Sequence, residues 1–213
     1  MLGGTIQGGK YGGGIVVEAG AVATVCDGTI QAGESGYGMG VWARPGAVAT
    51  ATVRIAGGMI IGGSYATSPF IQPGTGFIIS AGDATITGGT FKGGFNSTSG
   101  DQDPSLNLSC GNTSIYGGTY EGNWIKSPAC HDSYTKVYGK DLVLVVKDNH
   151  LMVMGTLCDG NPINVNILGW ENASLEPSTV TIVNNCASFP EFVECGGKGG
   201  KSGKKTKSSL FRP

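Results

Sequence analysis

Five times within its first 123 residues the chain repeats a short unit in which glycines bracket three residues with an apolar centre. The copies are Gly3-Gly4-Thr5-Ile6-Gln7-Gly8-Gly9, Asp27-Gly28-Thr29-Ile30-Gln31-Ala32-Gly33, Gly57-Gly58-Met59-Ile60-Ile61-Gly62-Gly63, Gly88-Gly89-Thr90-Phe91-Lys92-Gly93-Gly94 and Gly117-Gly118-Thr119-Tyr120-Glu121-Gly122-Asn123. Counted between the second residues, the intervals are 24, 30, 31 and 29. A period of that size marks stacked units, none of which can bury a face alone. Alternation inside each unit reads as a short strand. Ile6, Ile30, Ile60, Phe91 and Tyr120 then form one inward column, and Thr5, Thr29, Met59, Thr90 and Thr119 point out.

Further strands lie between the glycine units. Residues 14 to 24 and 40 to 50 align without a gap at an offset of 26, and Gly20 to Thr24 is identical to Gly46 to Thr50. Pro69 to Gly74 reads as a third member of this family. By parity Val16, Trp42 and Phe70 share an outward column, while Val17, Ala43 and Ile71 face in. Third-strand segments are expected at Val22 to Cys26, Thr50 to Ile55, Ala84 to Thr87, Thr113 to Tyr116 and Asp141 to Lys147. Three short strands and three corners per repeat describe a triangular parallel β-helix of about five coils. Residues 1–149 are assigned to these coils and 150–195 to a disulfide-stiffened β cap over the open end. Residues 196–213 form a disordered Gly/Lys/Ser tail.

With 39 glycines in 213 residues the chain is far above the average of about 7%. Collagen is nevertheless excluded, because these glycines do not fall at every third residue. Six cysteines and four Asn-x-Ser/Thr sequons, at Asn96, Asn107, Asn112 and Asn172, point outside the cytosol. No signal peptide precedes the first repeat, so the start is expected to be internal to a longer secreted protein, or truncated. No apolar run is long enough to span a bilayer. Of the 15 pairings that six cysteines allow, Cys110 with Cys130 plus one bond among Cys158, Cys186 and Cys195 is expected. Cys26 is then odd, either inward-facing and reduced or paired outside this chain.

Net charge is −1, yet the tail holds Lys198, Lys201, Lys204, Lys205, Lys207 and Arg212 with no acid, which leaves −7 on residues 1 to 195. Such a tail fits a polyanion such as an anionic polysaccharide, or serves only as a solubilising linker.

Strands bracketed by Gly-Gly-Thr-Ile/Phe/Tyr, three to a coil over residues 1 to 148, resemble the pectin lyase-like superfamily of right-handed parallel β-helices. The basic tail is similar to those of secreted algal cell-surface proteins. The superfamily includes polysaccharide lyases, polygalacturonases, epimerases, adhesins and tailspikes, so the resemblance implies a fold and leaves function open.

The chemistry such enzymes need is not concentrated in this sequence. A lyase would be expected to hold calcium carboxylates beside a base, but Asp101 and Asp103 form the only tight acidic pair and lack a calcium-loop spacing. His131 and His150 have no metal-ligand partner at a usable spacing. The threonine column is interrupted by Met59 and flanked by Lys92 and Glu121, which argues against ice binding. No cofactor, metal, nucleic-acid partner or membrane span is expected. The reading is an extracellular structural or surface-attachment protein, non-enzymatic, whose partners are a polysaccharide or other polyanion and, end to end or laterally, further copies. The alternative is a carbohydrate-active enzyme or glycan-binding module that uses Trp42 and Phe70 as stacking platforms.

Overall fold

The computed structural model describes residues 1–42, 50–65, 74–125, 133–147, 150–168 and 180–196. In chain order its strands are β1 (Leu2–Gln7), β2 (Ile15–Val17), β3 (Val22–Val25), β4 (Asp27–Gln31), β5 (Met39–Val41), β6 (Thr52–Ile55), β7 (Met59–Ile61), β8 (Phe77–Ile79) and β9 (Asp83–Ile86). They continue as β10 (Thr90–Lys92), β11 (Leu106–Asn107), β12 (Asn112–Ile115), β13 (Thr119–Glu121), β14 (Trp124–Ile125), β15 (Thr135–Lys147), β16 (His150–Leu157), β17 (Pro162–Leu168) and β18 (Val180–Val183).

The glycine units form a five-stranded parallel sheet, β1-β4-β7-β10-β13. Its register matches the sequence alignment: Thr5, Thr29, Met59, Thr90 and Thr119 stand side by side. Ile30, Ile60 and Phe91 below them are fully buried, and Tyr120 stacks on Phe91 with ring centroids 5.2 Å apart. Glycine serves this sheet in two ways. Gly4 and Gly28, within β1 and β4, and Gly58, Gly89 and Gly118, directly before β7, β10 and β13, all have positive φ, from 83° to 111°, where a side chain is strained. Gly9, Gly33, Gly63 and Gly94, which follow them, lie against one another's backbones. A methyl group on Gly33 would sit 1.6 Å from the carbonyl oxygen of Gly9, and one on Gly63 would sit 1.8 Å from that of Gly33.

The expectation of a right-handed parallel β-helix with a small separate β cap is corrected by the second sheet. The other two strands of each repeat do not form sheets of their own. They are the two arms of one 13-stranded sheet ordered β2-β5-β8-β11-β14-β17-β16-β15-β12-β9-β6-β3, with β18 paired to β15. The arms are parallel ladders, joined through antiparallel pairing of β15, β16 and β17. Its end strands β2 and β3 are consecutive in the chain, so the sheet nearly closes on itself like a barrel. Long apolar strands drive this merger. Leu151, Val153, Leu157, Ile163, Val165 and Ile167 are buried in the same core as Val53, Phe77 and Ile115. The segment read as a cap is therefore the turning point of the main sheet. Asp141 to Lys147, expected as a parallel third strand, pairs antiparallel with β16 from Val143 onward, and the parallel contact to β12 is made by Thr135 to Val137.

The second-strand alignment also needs correction. Val16 stands beside Gly40 and Val17 beside Val41, an offset of 24 and not 26. The next strand is β8, where Phe77 lies beside Met39. Phe70, Ala43 and Ile71 lie outside the described residues.

Candidate functional site

Beside the five-stranded sheet a polar loop follows β10, running from Gly93 to Ser105 before β11. Glycine again sets its course, since a methyl on Gly93 would sit 1.8 Å from the Asp103 carbonyl oxygen. The loop is tied down by Asp103 N donating to Gly94 O (2.9 Å) and by Tyr65 N donating to Phe95 O (3.0 Å). Tyr65 Oη donates to Asp103 Oδ1 at 3.2 Å, and Asp103 Oδ2 is enclosed against Gly74 with no hydrogen-bond partner. Burial pushes the Asp103 carboxyl up to about 6; the Tyr65 hydroxyl opposes the shift and the neighbouring Asp101 charge adds to it. Burial also raises Tyr65, with Asp103 adding to the effect.

This arrangement gives a single carboxyl that changes charge near pH 6, held by one phenol. Among the described residues no group of three His, Cys, Asp or Glu side chains could hold a metal ion. Because the folded-state value lies above the ordinary 3.8, the charged form is disfavoured in the fold. Its penalty is present above pH 6 and is relieved as pH falls toward 4. Asp103→Asn is therefore expected to stabilise the protein by about 1 kcal/mol near neutral pH, after allowance for solvent screening at a partly exposed group. At about pH 4 it should change nothing. Urea unfolding midpoints at the two pH values check this, and an equal shift at both would contradict it.

Trp42 does not stand as a free platform. Its ring packs against Tyr37 with centroids 5.7 Å apart, and the two close over Gly40, where a methyl would sit 2.5 Å from Trp42 Nε1. That nitrogen is enclosed without a hydrogen-bond partner. The column that Val16 does enter runs through Gly40, Ile78 and Asn107, and in it Val16 is exposed while the other three are buried. This side of the sheet is therefore open at Val16 and closed at Ile78 and Asn107.

Cysteines place the C-terminal segment. Cys158 pairs with Cys186, the bond expected within that region, and Cys26 pairs with Cys195 across 169 residues. Cys26 is thus neither reduced nor left over, which corrects the reading from spacing alone. Cys110 is disulfide-bonded too, and its expected partner Cys130 lies outside the described residues. Between the two bonds, residues 186 to 195 run as a strap over the corner that leads from the third strand of each repeat to the first strand of the next. Phe189 meets Tyr116 edge-on at 6.0 Å, Tyr116 stacks on Tyr138 at 4.0 Å, and Glu194 pairs with Arg54 at 2.9 Å. No sequence periodicity announces this strap, because its contacts are made one residue at a time.

Of the sequons, Asn96 lies in the exposed loop, Asn107 is fully buried in β11, and Asn112 is half-buried in β12. Asn172 and the tail cations Lys198, Lys201, Lys204, Lys205 and Lys207 lie outside the described residues. No helix among the described residues is long and apolar enough to cross a membrane. Comparison with protein-family models, with curated proteins and with solved structures finds no match.

Proposed function

We propose that the chain is an extracellular structural or surface-attachment protein without catalytic activity. The observation that carries this reading is the pair of disulfides that clamps the strap, one at the antiparallel turn of the large sheet and one at the first repeat. Disulfides form and persist in oxidising environments, and these indicate one for this chain. Closing 169 residues into a covalent ring raises the free energy of opening for the whole stack. A body that must persist outside a cell gains from that stiffness. The outward threonine column supplies a hydrated lateral face, and Lys92 is neutralised by Glu121 at 2.9 Å.

Attachment is assigned to the basic tail, whose six cations oppose the −7 of residues 1 to 195. The full chain is expected to be retained on a uronate polymer at low salt and released as ionic strength rises. A chain truncated after Gly196 should pass through. Incubation with uronate polymers and neutral glycans should yield no cleavage product. Unsaturated product absorbance or new reducing ends would overturn the non-enzymatic reading, and equal retention of the truncated chain would move attachment off the tail. The glycan-module alternative rests on Trp42, and glycan binding that Trp42→Ala abolishes would favour it.

A further inference from the structure

We infer that the fold accepts an N-linked glycan at Asn96 and excludes one at Asn107, which is buried inside the sheet, and at Asn112, whose side-chain amide bonds across neighbouring strands. The inference rests on the extracellular reading above, since transfer requires passage through a secretory compartment. In the transfer, a lipid-linked oligosaccharyl pyrophosphate gives its sugar C1 to Asn Nδ2. The Nδ2–C1 bond forms, the C1–O bond to pyrophosphate breaks, the amide loses one proton, and the lipid pyrophosphate leaves. The product is a secondary amide that keeps its carbonyl oxygen and one N–H.

At Asn96 those remaining groups suffice. Oδ1 accepts from Thr98 N at 2.9 Å and from Ser99 N at 3.3 Å, which fixes the turn, and a single remaining N–H can serve the neighbouring Tyr65 hydroxyl. Residues 97 to 102 beyond it are exposed, so a glycan has room to leave the surface.

Asn107 is the opposite case. It is 0% exposed, stands between Ile78 of β8 and Ile125 of β14, and accepts from Ser109 Oγ. An oligosaccharide at this position would keep β11 out of the sheet. Asn112 uses both ends of its amide across rungs: Nδ2 donates to Asp83 Oδ1 at 3.0 Å and Oδ1 accepts from Tyr134 N at 3.2 Å. A sugar on Nδ2 would crowd the position beside Asp83 on the neighbouring strand. The same tripeptide pattern therefore has a surface use once and a structural use twice.

The test is the full chain behind an exogenous signal sequence in a eukaryotic secretory host. Secreted protein is deglycosylated enzymatically in heavy-oxygen water, which marks each formerly occupied Asn by mass. Cleavage before Asp101 and Asp103 parts Asn96 from the other two sequons. The mark is expected at Asn96 and absent from Asn107 and Asn112. Thr98→Ala should remove the Asn96 glycan and leave secretion unchanged, because the Thr98 N–H that holds the turn remains. Asn107→Gln should lower secreted yield at least tenfold although no glycan is lost. A mark at Asn107 or Asn112 in secreted, disulfide-bonded protein, a bare Asn96, or an unaffected yield for Asn107→Gln would overturn the inference. Free thiols throughout the protein from its native source would instead sink the extracellular reading, and the site assignment would still be read from the secreted chain.

Discussion

Gly63→Ala is expected to abolish accumulation of folded protein, with a cost on the order of 4 kcal/mol or more. The added methyl would lie 1.8 Å from the carbonyl oxygen of Gly33, and the corresponding methyl on Gly94 would lie 2.1 Å from that of Gly63. The obstruction is backbone in the neighbouring repeat, where Gly63 N donates to Gly36 O at 2.7 Å and Ala32 N to Ile61 O at 2.9 Å. No side chain can rotate away to make room. Yielding would mean prising two rungs apart, and a domain of this kind has only about 5 to 15 kcal/mol in total. Gly4→Ala is the control. It has positive φ, +87°, but no heavy atom within 4 Å of the added methyl, so only conformational strain of about 1 to 2 kcal/mol is expected. Soluble yield and urea midpoints for the two variants separate close approach from strain. Equal effects would refute the distinction.

Replacing Cys26 and Cys195 together by serine is expected to cost about 4 to 5 kcal/mol, at the upper end for a single disulfide. The size follows from the loop of 169 residues that the bond closes. The equivalent double replacement at Cys158 and Cys186, whose separation is 28, should cost about 3.5 kcal/mol by the same chain-entropy argument. The Arg54–Glu194 pair will not compensate, since both side chains are largely in water, where ion pairs contribute little. Denaturant titration of both double variants tests the order. A smaller loss at Cys26 and Cys195 than at Cys158 and Cys186 would show that the strap opens independently of the stack.

The two sheets were not equally legible. In the first ladder the glycine units carry the register from Thr5 onward, and the third-strand arm follows the same spacing: Val22 beside Thr52, Thr52 beside Asp83, Asp83 beside Asn112. These two ladders keep step because the corner between them has a constant length: Val25 to Thr29, Ile55 to Met59, Ile86 to Thr90 and Ile115 to Thr119 are each four residues apart. The second ladder lost register because the connections on either side of it change length. Four residues join β2 to β3, but ten join β5 to β6. The identity of Gly20 to Thr24 with Gly46 to Thr50 was therefore a likeness of composition, and the structure pairs Val22 with Thr52. Sheet closure was illegible for another reason. Pairing of β15 to β17 depends on which apolar residues find cover, and alternation in Val143 to Val146 or Ile163 to Ile167 does not say whether the neighbour is parallel. At the Tyr65–Asp103 contact the acidic pair was visible, but its phenol partner comes from 38 residues upstream with no motif to link them.

The bond from the first repeat to the strap has a consequence in time. A ribosome adding roughly 5 to 20 residues per second exposes Cys26 some 8 to 34 seconds before the partner that lies 169 residues behind it. During that wait Cys110, Cys130, Cys158 and Cys186 all emerge, and any of them can be captured by the waiting thiol. In the folded chain Cys26 stands at the corner between β3 and β4, facing the strap that carries Cys195. Productive closure must then await the last cysteine of the chain, and a thiol–disulfide isomerase that frees Cys26 from earlier partners would set how much of the newly made chain reaches the closed ring.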